Sequence, residues 1–158
     1  ILRLIRPVQY FGYRAYFAGE PYVSSATAME PSVLGAVPMR IVSDLIDSNK
    51  AVAWFFIHEL SHNLGSSDTR IVNLTQKHIR GRLAEAITVL RDHYGYEDDG
   101  ITLRVYMARE DLANLSNMTT SNAIRTLTAF VNEKIIVVDG RQIKIINEPQ
   151  LRKISKYG

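Results

Sequence analysis

The stretch REDLANLSNMTTSNAIRTLTAFVNEKIIVVDGRQIKII, residues 109–146, decides the fold. Its first part predicts two short helices, from Arg109 to about Ser116 and from Thr120 to about Asn132, separated by Asn117-Met118-Thr119. Its second part places β-branched residues on both sides of Asp139-Gly140, which predicts a tight hairpin. Two helices joined by a short turn and followed at once by a hairpin are typical of a winged helix-turn-helix.

The second helix of the pair is the candidate for insertion into a DNA groove. Thr119 is its predicted N-cap, and Ala123, Leu127 and Phe130 recur with the spacing of a buried helix face. The opposite face carries short hydrogen-bonding side chains and one arginine, namely Thr120, Ser121, Arg125 and Thr128. Arginine can hold guanine through O6 and N7, and serine or threonine can contact bases or phosphates. The alternative is an ordinary solvated helix face, which the hairpin directly behind the helix disfavours.

Phosphate contacts are expected from basic residues around this helix. Arg141 and Lys144 lie on the hairpin, and Arg109 opens the preceding helix, where the helix N-terminus also favours an anion. The residues predicted to bind DNA are Arg109, Thr119, Thr120, Ser121, Asn122, Arg125 and Arg141.

Upstream, a long helix is predicted to begin after an N-cap at Asn49 and to end near Leu74. Apolar residues recur in it at intervals of three and four, with Ser67 as the one polar member of the row. This a/d pattern over about three heptads favours contact with the same helix of a second copy. The alternative is packing within its own domain. The predicted dimer residues are Ile57, Leu60, Leu64, Ile71 and Leu74.

The remaining segments frame these two features. Residues 1 to about 40 suggest strands and turns at Tyr10–Tyr13, Phe17–Pro21 and Val33–Val37, followed by a short helix from Met39 to Ile46. The chain starts without Met inside an alternating pattern, so we expect that a preceding part of the protein is missing from it. Thr75 is a candidate cap for the next helix, whose buried face is predicted to consist of Ile79, Leu83, Ala86, Ile87 and Leu90. A short strand is predicted at Thr102–Tyr106.

Composition narrows the function classes. The chain has 158 residues and no Cys, which excludes disulfides, Cys-ligated zinc and iron–sulfur clusters for these residues. No apolar run reaches the roughly 18 residues of a membrane span. The net charge of +3 arises after residue 74, where 13 basic residues face 10 acidic ones. This bias is compatible with a polyanionic partner.

Over nearly its whole length the chain resembles the Crp/Fnr regulators. Gly81-Arg82-Leu83-Ala84 is similar to the family's first DNA-domain helix, Arg109–Ala113 to its first helix-turn-helix helix, and Met118–Leu127 to its recognition helix. Phe17–Pro38 resembles the last strands of the family's cyclic-nucleotide-binding β-roll. The resemblance implies a cytoplasmic, homodimeric transcription regulator that binds double-stranded DNA and RNA polymerase. Its effector would act through the β-roll, and a hinge at residues 73–75 would relay the signal.

The resemblance places an effector site at Gly12, Tyr13, Arg14, Ser24 and Ser25. The family's cAMP-binding members carry Glu where this chain has Tyr13, and their phosphate-binding Arg would fall on Val23 or Ser24. These departures argue against cAMP as the effector, although Arg14 is a candidate substitute for the Arg. Ser121 stands where the family often has a base-reading Glu, so the operator is expected to differ. No resident cofactor is expected.

His58-Glu59-Leu60-Ser61-His62 forms an HExxH motif, the strongest competing signal. Such a helix can bind zinc through both His, with Glu59 as general base. Extended to Asp68, with a turn at Gly65, the motif resembles that of metzincin peptidases. However, few residues precede it, no Met-turn follows, and both His lie outside the heptad seam, so the zinc metallopeptidase remains the alternative.

We therefore predict an α+β protein with three parts. Residues 1–46 form part of an effector-binding β-roll, 47–74 the dimerisation helix and hinge, and 75–158 a winged helix-turn-helix domain. The predicted function is sequence-specific DNA binding by an effector-responsive homodimer, without enzyme activity.

Overall fold

The computed structural model describes residues 1–158, which form two compact units. One, here called the winged unit, combines Ile1–Arg6 with Ile71–Gly158. The other, here called the aromatic unit, is Pro7–Arg70. Helices dominate both units, and the regular sheet has two strands. None of the helices combines the length and apolar character needed to cross a membrane.

In the aromatic unit, aromatic rings that pack in tilted and edge-to-face arrangements join a short helix to a long one. The unit contains α1 (Tyr13–Ala18), α2 (Met39–Ser48) and most of α3 (Lys50–Gln76). The ring of Phe56 lies 5.4 Å from that of Tyr13 and 5.1 Å from that of Phe17, centroid to centroid. Asn63 Nδ2 donates to the Tyr13 hydroxyl at 2.8 Å. These contacts fasten α1 to α3.

The strands expected within residues 1–40 are not formed. Gly12 and Gly19 take left-handed conformations, with φ of +91° and +63°, at the two ends of α1, and this helix replaces the expected strand ends. Val33–Val37 is irregular, and Val33 is fully exposed. A strand needs a neighbour for its backbone N–H and C=O groups, and nothing in residues 1–40 pairs with this segment. The short helix expected at Met39–Ile46 is confirmed as α2.

The long helix is continuous from Lys50 to Gln76, as its pattern predicts. The Asn49 side chain accepts a hydrogen bond from the Ala51 N–H at 3.0 Å, which confirms the predicted N-cap. The prediction that Thr75 caps the following helix is wrong. Its hydroxyl donates back to the carbonyl groups of Ile71 and Val72, so α3 runs through Thr75.

In the winged unit, four helices surround a hairpin: α4 (Ile79–Tyr94), α5 (Arg109–Leu115), α6 (Thr120–Asn132) and α7 (Glu148–Tyr157). Strands β1 (Ile136–Asp139) and β2 (Gln142–Ile145) follow α6 and pair antiparallel. The core includes Leu83, Ile87, Leu90, Leu112, Leu127, Phe130, Ile136 and Leu151. Ile79, expected on the buried face of α4, is exposed because it stands at the first helical position.

The hairpin and its approach follow the expected order. Asp139 pairs with Gln142, so Gly140 and Arg141 are the two central residues of the turn, and Gly140 has φ +53°. A glycine with positive φ at the first central position suits a two-residue hairpin. The strand expected at Thr102–Tyr106 is reduced to isolated bridges, one of which pairs Thr102 with Lys144.

Leu4 lies far from the rest of this core in sequence. Its side chain is buried in the winged unit, together with residues of α4, α5 and α6. Arg6 Nη1 donates to the carbonyl of His93, near the end of α4, at 3.3 Å. The first six residues are therefore part of the winged unit, which the sequence pattern did not indicate.

Candidate nucleic-acid interface

A tight turn sets the angle between α5 and α6. Asn117 takes a left-handed conformation with φ +49°, which asparagine tolerates better than most residues. The Met118 N–H donates to the Ala113 carbonyl at 3.0 Å, and the buried Ser116 hydroxyl donates to the Leu112 carbonyl at 2.7 Å. These bonds satisfy the free carbonyl groups at the end of α5 and fix the direction in which α6 begins.

Helix α6 has one buried face and one exposed stripe. Thr119 caps it by accepting from the Asn122 N–H at 3.3 Å, as predicted. Ala123, Leu127 and Phe130 are buried, as predicted from their spacing. The exposed stripe consists of Ser121, Ile124, Arg125 and Thr128, while Thr120 and Asn122 are half-buried. This arrangement lets α6 present a narrow row of side chains to a DNA groove.

Ile124 is a stripe residue that the sequence analysis missed. It is 47% exposed between Ser121 and Arg125. The predicted set contains hydrogen-bonding and charged side chains only, although the helical spacing from Ser121 places Ile124 outside the core. An apolar side chain at such a position suits the methyl group of thymine.

Arg125 and Asn122 are joined on the surface of α6. Arg125 Nη2 donates to Asn122 Oδ1, one turn earlier in the same helix. The bond aligns the guanidinium along the helix and keeps it on the exposed side. Arg125 can exchange this single neutral partner for a base edge, since guanine offers two acceptors.

Arg109 is placed differently from what the sequence suggested. Its Nη2 donates to the carbonyl of Gly140 in the turn of the hairpin, and its Nη1 is buried without a hydrogen-bond partner. Arg141, the next residue in that turn, is exposed. Arg141 also lines a shallow depression with Tyr106, Asp139 and Gln142. The hairpin, here called the wing (residues 136–145), is thus tied to the start of α5.

A second arginine, Arg80, contacts the carboxy-terminal end of α6. Arg80 forms a bidentate ion pair with Glu133. Its Nη1 donates to Oε1 at 2.7 Å, and its Nη2 donates to Oε2. The guanidinium also lies 4.8 Å from the centre of the Phe130 ring. Its hydrogen bonds hold the pKa of the Glu133 carboxyl below its usual range. Arg80 therefore fastens α4 to the end of α6.

The heptad seam of α3 is apolar and open to solvent. Ile57, Leu64 and Ile71 are exposed, Leu64 by 64%, while Leu60 and Leu74 are half-buried. No residue of α3 is buried. Exposed apolar rows of this length on a helix are typical of surfaces that contact another helix.

The predicted effector residues lie at the start of α1 and in the irregular segment after it. Gly12 is the residue before α1, Tyr13 is buried, and Arg14 forms an ion pair with Glu20 at 3.0 Å. Ser24 and Ser25 are exposed. The effector site remains a prediction.

The HExxH residues belong to the middle of α3. His58 and His62 are exposed, and Glu59 is half-buried. The helix passes through Gly65 without turning, so Asp68 is carried further along the same helix. No group of three or more His, Cys, Asp or Glu residues is placed to hold a metal ion. The chain turn on which the peptidase alternative rests is absent.

Comparison with known proteins finds a similarity to one family in the carboxy-terminal half of the chain. Residues 81–154 match the Crp-like helix-turn-helix domain. The fumarate and nitrate reduction regulatory protein of Vibrio cholerae is 25% identical over 138 residues, which are 87% of this chain and 55% of that protein. Electron transport regulator A of Shewanella oneidensis is 25% identical over 137 residues, with 86% and 55% covered. The chain spans about half the length of these curated relatives.

Solved structures show the same fold. FixK2 from Bradyrhizobium japonicum matches with a TM-score of 0.68 and 18% identity, over 75% of this chain and 59% of that one. A CooA mutant from Carboxydothermus hydrogenoformans matches with a TM-score of 0.64 and 23% identity, over 74% and 55%. These similarities confirm the α+β layout predicted from the sequence, in which a segment matching the partial β-roll is joined by a long helix to a winged helix-turn-helix. Residues 1–40 themselves form α1 and irregular backbone rather than strands.

Proposed function

We propose that the chain is the DNA-binding part of a transcription regulator. Residues 81–154 match the Crp-like helix-turn-helix domain, and the chain is similar to curated regulatory proteins. It binds double-stranded DNA in a sequence-specific manner. Helix α6 enters the major groove, and the wing contacts the adjacent phosphates.

The exposed stripe of α6 carries this proposal. Ser121, Ile124 and Arg125 supply a hydrogen-bonding group, an apolar group and a cation within one turn of helix. Guanine, thymine and phosphate each have a matching partner in this set. The buried opposite face holds the stripe in a fixed orientation, which base reading requires. Thr119, Thr120 and Asn122 lie at the end of α6 nearest the helix-turn-helix turn, where phosphate contacts are expected.

The open seam of α3 supports a homodimer. Two copies joined along Ile57, Leu60, Leu64, Ile71 and Leu74 would cover the apolar row that one copy exposes. A two-fold axis would present two α6 helices to half-sites about one DNA turn apart, roughly 34–36 Å. Because both half-sites are bound at once, the dimer would bind DNA more tightly than the small interface of one copy allows.

Regulation of the intact protein is a further part of the proposal. An effector bound near residues 12–25 would act on α3, because Tyr13 is packed against Phe56 and bonded to Asn63. Weak or absent cAMP binding is expected, since Tyr13 replaces the expected Glu and no Arg stands at Val23 or Ser24. Contact with RNA polymerase and a cytoplasmic location follow from the role of a transcription regulator.

Selection of bound DNA from a random pool tests the function. The intact protein should enrich a two-fold symmetric motif with half-sites about one turn apart. The selected duplex should bind about a thousandfold or more tightly than random DNA at the same salt concentration. Equal binding to selected and random duplexes would contradict sequence-specific recognition.

A further inference from the structure

The hydrogen bond between Arg109 and the wing indicates how Arg141 is positioned for DNA binding. This inference rests on the proposed function. An arginine at the start of a helix next to DNA is ordinarily expected to bind a phosphate directly. Here Nη2 already donates to the Gly140 carbonyl, and Nη1 is buried within the protein. A phosphate oxygen cannot reach a buried nitrogen without movement of its surroundings.

The bonded carbonyl belongs to the peptide that precedes Arg141. The C=O of Gly140 and the N–H of Arg141 lie in one planar unit, so fixing the carbonyl fixes the position from which the Arg141 side chain starts. The turn has only two central residues. Gly140 has φ +53°, and glycine adopts this backbone conformation about as readily as the others open to it. Without an external bond, only the turn itself would set the orientation of this peptide.

Arg141 itself has no restraint of this kind. Its side chain is exposed at the tip of the wing, beside Gln142 and Asp139. A long, exposed cationic side chain loses rotamer entropy when it binds a phosphate. A backbone that is already fixed avoids a further loss of conformational entropy on binding.

We propose that Arg109 is a positioning residue that orients the Gly140–Arg141 peptide so that Arg141 binds a backbone phosphate. Arg109 contributes to DNA affinity through Arg141 rather than through a phosphate of its own. The two residues form one functional unit across the groove between α5 and the wing.

A double-mutant cycle tests this inference on the intact protein with its selected operator. Arg109→Ala and Arg141→Ala should each weaken binding about tenfold, as expected for loss of one charge-assisted contact. The double variant should also be about tenfold weaker, because the second change removes nothing further. Losses that multiply to about a hundredfold would show independent contacts and overturn the inference.

Phosphate ethylation interference supplies a second readout that a merely structural role would not move. In the wild-type complex, ethylation of the phosphate bound by Arg141 should block binding. Both single variants should become insensitive at that same phosphate. Loss of sensitivity at a different phosphate in Arg109→Ala would mean that Arg109 binds DNA itself.

Two further variants keep the test decisive. Arg109→Met retains the buried aliphatic stem without the guanidinium. It should reproduce the loss of Arg109→Ala, whereas wild-type affinity in Arg109→Met would assign the loss in Arg109→Ala to disturbed packing. Lys153→Ala removes an exposed positive charge from α7, and its affinity should stay within about twofold of wild type. If the wild-type protein itself shows no preference for its selected duplex, the proposed function fails. If it shows that preference but the cycle is additive, only the role of Arg109 fails.

Discussion

The two units of the chain differ in how much of themselves they bury. The winged unit has a continuous core in which Leu83, Ile87, Leu112 and Phe130 are almost inaccessible to solvent. In the aromatic unit, Tyr13 and Ala15 are the buried residues, and neither α2 nor α3 buries any. Buried apolar area is the main source of folding stability. The winged unit therefore has a core of its own, whereas the aromatic unit buries little apolar surface in this chain.

This difference explains where each unit places its apolar residues. In the winged unit, Ala123, Leu127 and Phe130 of α6 face inward, and the exposed stripe of that helix is polar except for Ile124. In α3 the apolar heptad seam faces outward, where a single copy leaves it in water. An outward apolar row is stable only when it is covered. The same chain thus contains one unit with a buried core and one unit that carries an exposed apolar row, as the proposed dimer requires.

A charged residue in the heptad seam of α3 tests whether that apolar row is covered by a second copy, and it has the largest expected effect. Leu64→Asp should convert the dimer to a monomer, because an unpaired carboxylate in an apolar contact is costly. Operator affinity should fall by about a hundredfold or more, since one half-site is lost. Light scattering measures the oligomeric state, and a mobility-shift titration measures the affinity.

His62→Asp is the matched control, because it adds the same charge to α3 outside the seam. This variant should remain dimeric. A dimeric Leu64→Asp would mean that the contact between copies lies elsewhere, and the aromatic unit would then need another explanation for its exposed apolar row.

The second test concerns the boundary between the units. Leu4→Ala should lower the free energy of unfolding of the winged unit by about 2–4 kcal/mol, the usual cost of a buried leucine. Leu2→Ala should change it by less than about 0.5 kcal/mol, because Leu2 is 73% exposed and Leu4 is 8% exposed. Urea unfolding monitored by circular dichroism compares the two. Equal small losses would place residues 1–6 outside the core of the winged unit.

The third test asks whether the exposed stripe of α6 contributes to DNA binding without contributing to the stability of the winged unit. Arg125→Ala should cost about 1–3 kcal/mol of operator affinity and relax the preference at one base pair of each half-site. The unfolding midpoint and the dimer should be unchanged, since Arg125 is exposed. An equal loss on operator and random DNA would show that Arg125 contacts the backbone rather than a base.

Ile124→Ala allows an independent test on the same stripe. Replacing single thymines of the operator by deoxyuridine removes one methyl group at a time. At one position the wild-type protein should lose about threefold to tenfold in affinity, and Ile124→Ala should not respond to that replacement. Identical responses of both proteins at every thymine would exclude a methyl contact by Ile124.

Local patterns predicted the winged unit well because its elements depend on nearby residues. The Thr119 cap, the buried face of α6 and the turn at Gly140 follow from short-range spacing. Strands in residues 1–40 were wrong because a strand depends on a distant partner, which no local pattern supplies. The burial of Leu4 and the bond from Arg109 to Gly140 join residues far apart in sequence, so periodicity gave no sign of either.

The smallest expected effect comes from a polar contact that joins the end of α4 to α7 within the winged unit. The Tyr96 hydroxyl donates to Glu148 Oε2 at 2.9 Å, and Arg91 and Arg152 hold the other oxygen of that carboxylate. Burial and the bond to Glu148 raise the pKa of Tyr96 to about 12, from an ordinary value of 10.0. Below pH 10 the phenol is protonated in both folded and unfolded states, and its contribution to stability is complete. Between pH 10 and 12 the unfolded chain loses this proton first, so stability falls as the pH rises.

Tyr96→Phe removes both the bond and this titration. The variant should be about 1 kcal/mol less stable at neutral pH. It should also lose less stability than wild type between pH 10 and 12, so the difference between the two proteins should narrow across that range. Tyr157→Phe, which changes an exposed phenol on α7, should follow the wild-type curve. Parallel curves for Tyr96→Phe and wild type would mean that the contact with Glu148 does not persist in solution, and that apolar packing alone joins α7 to α4.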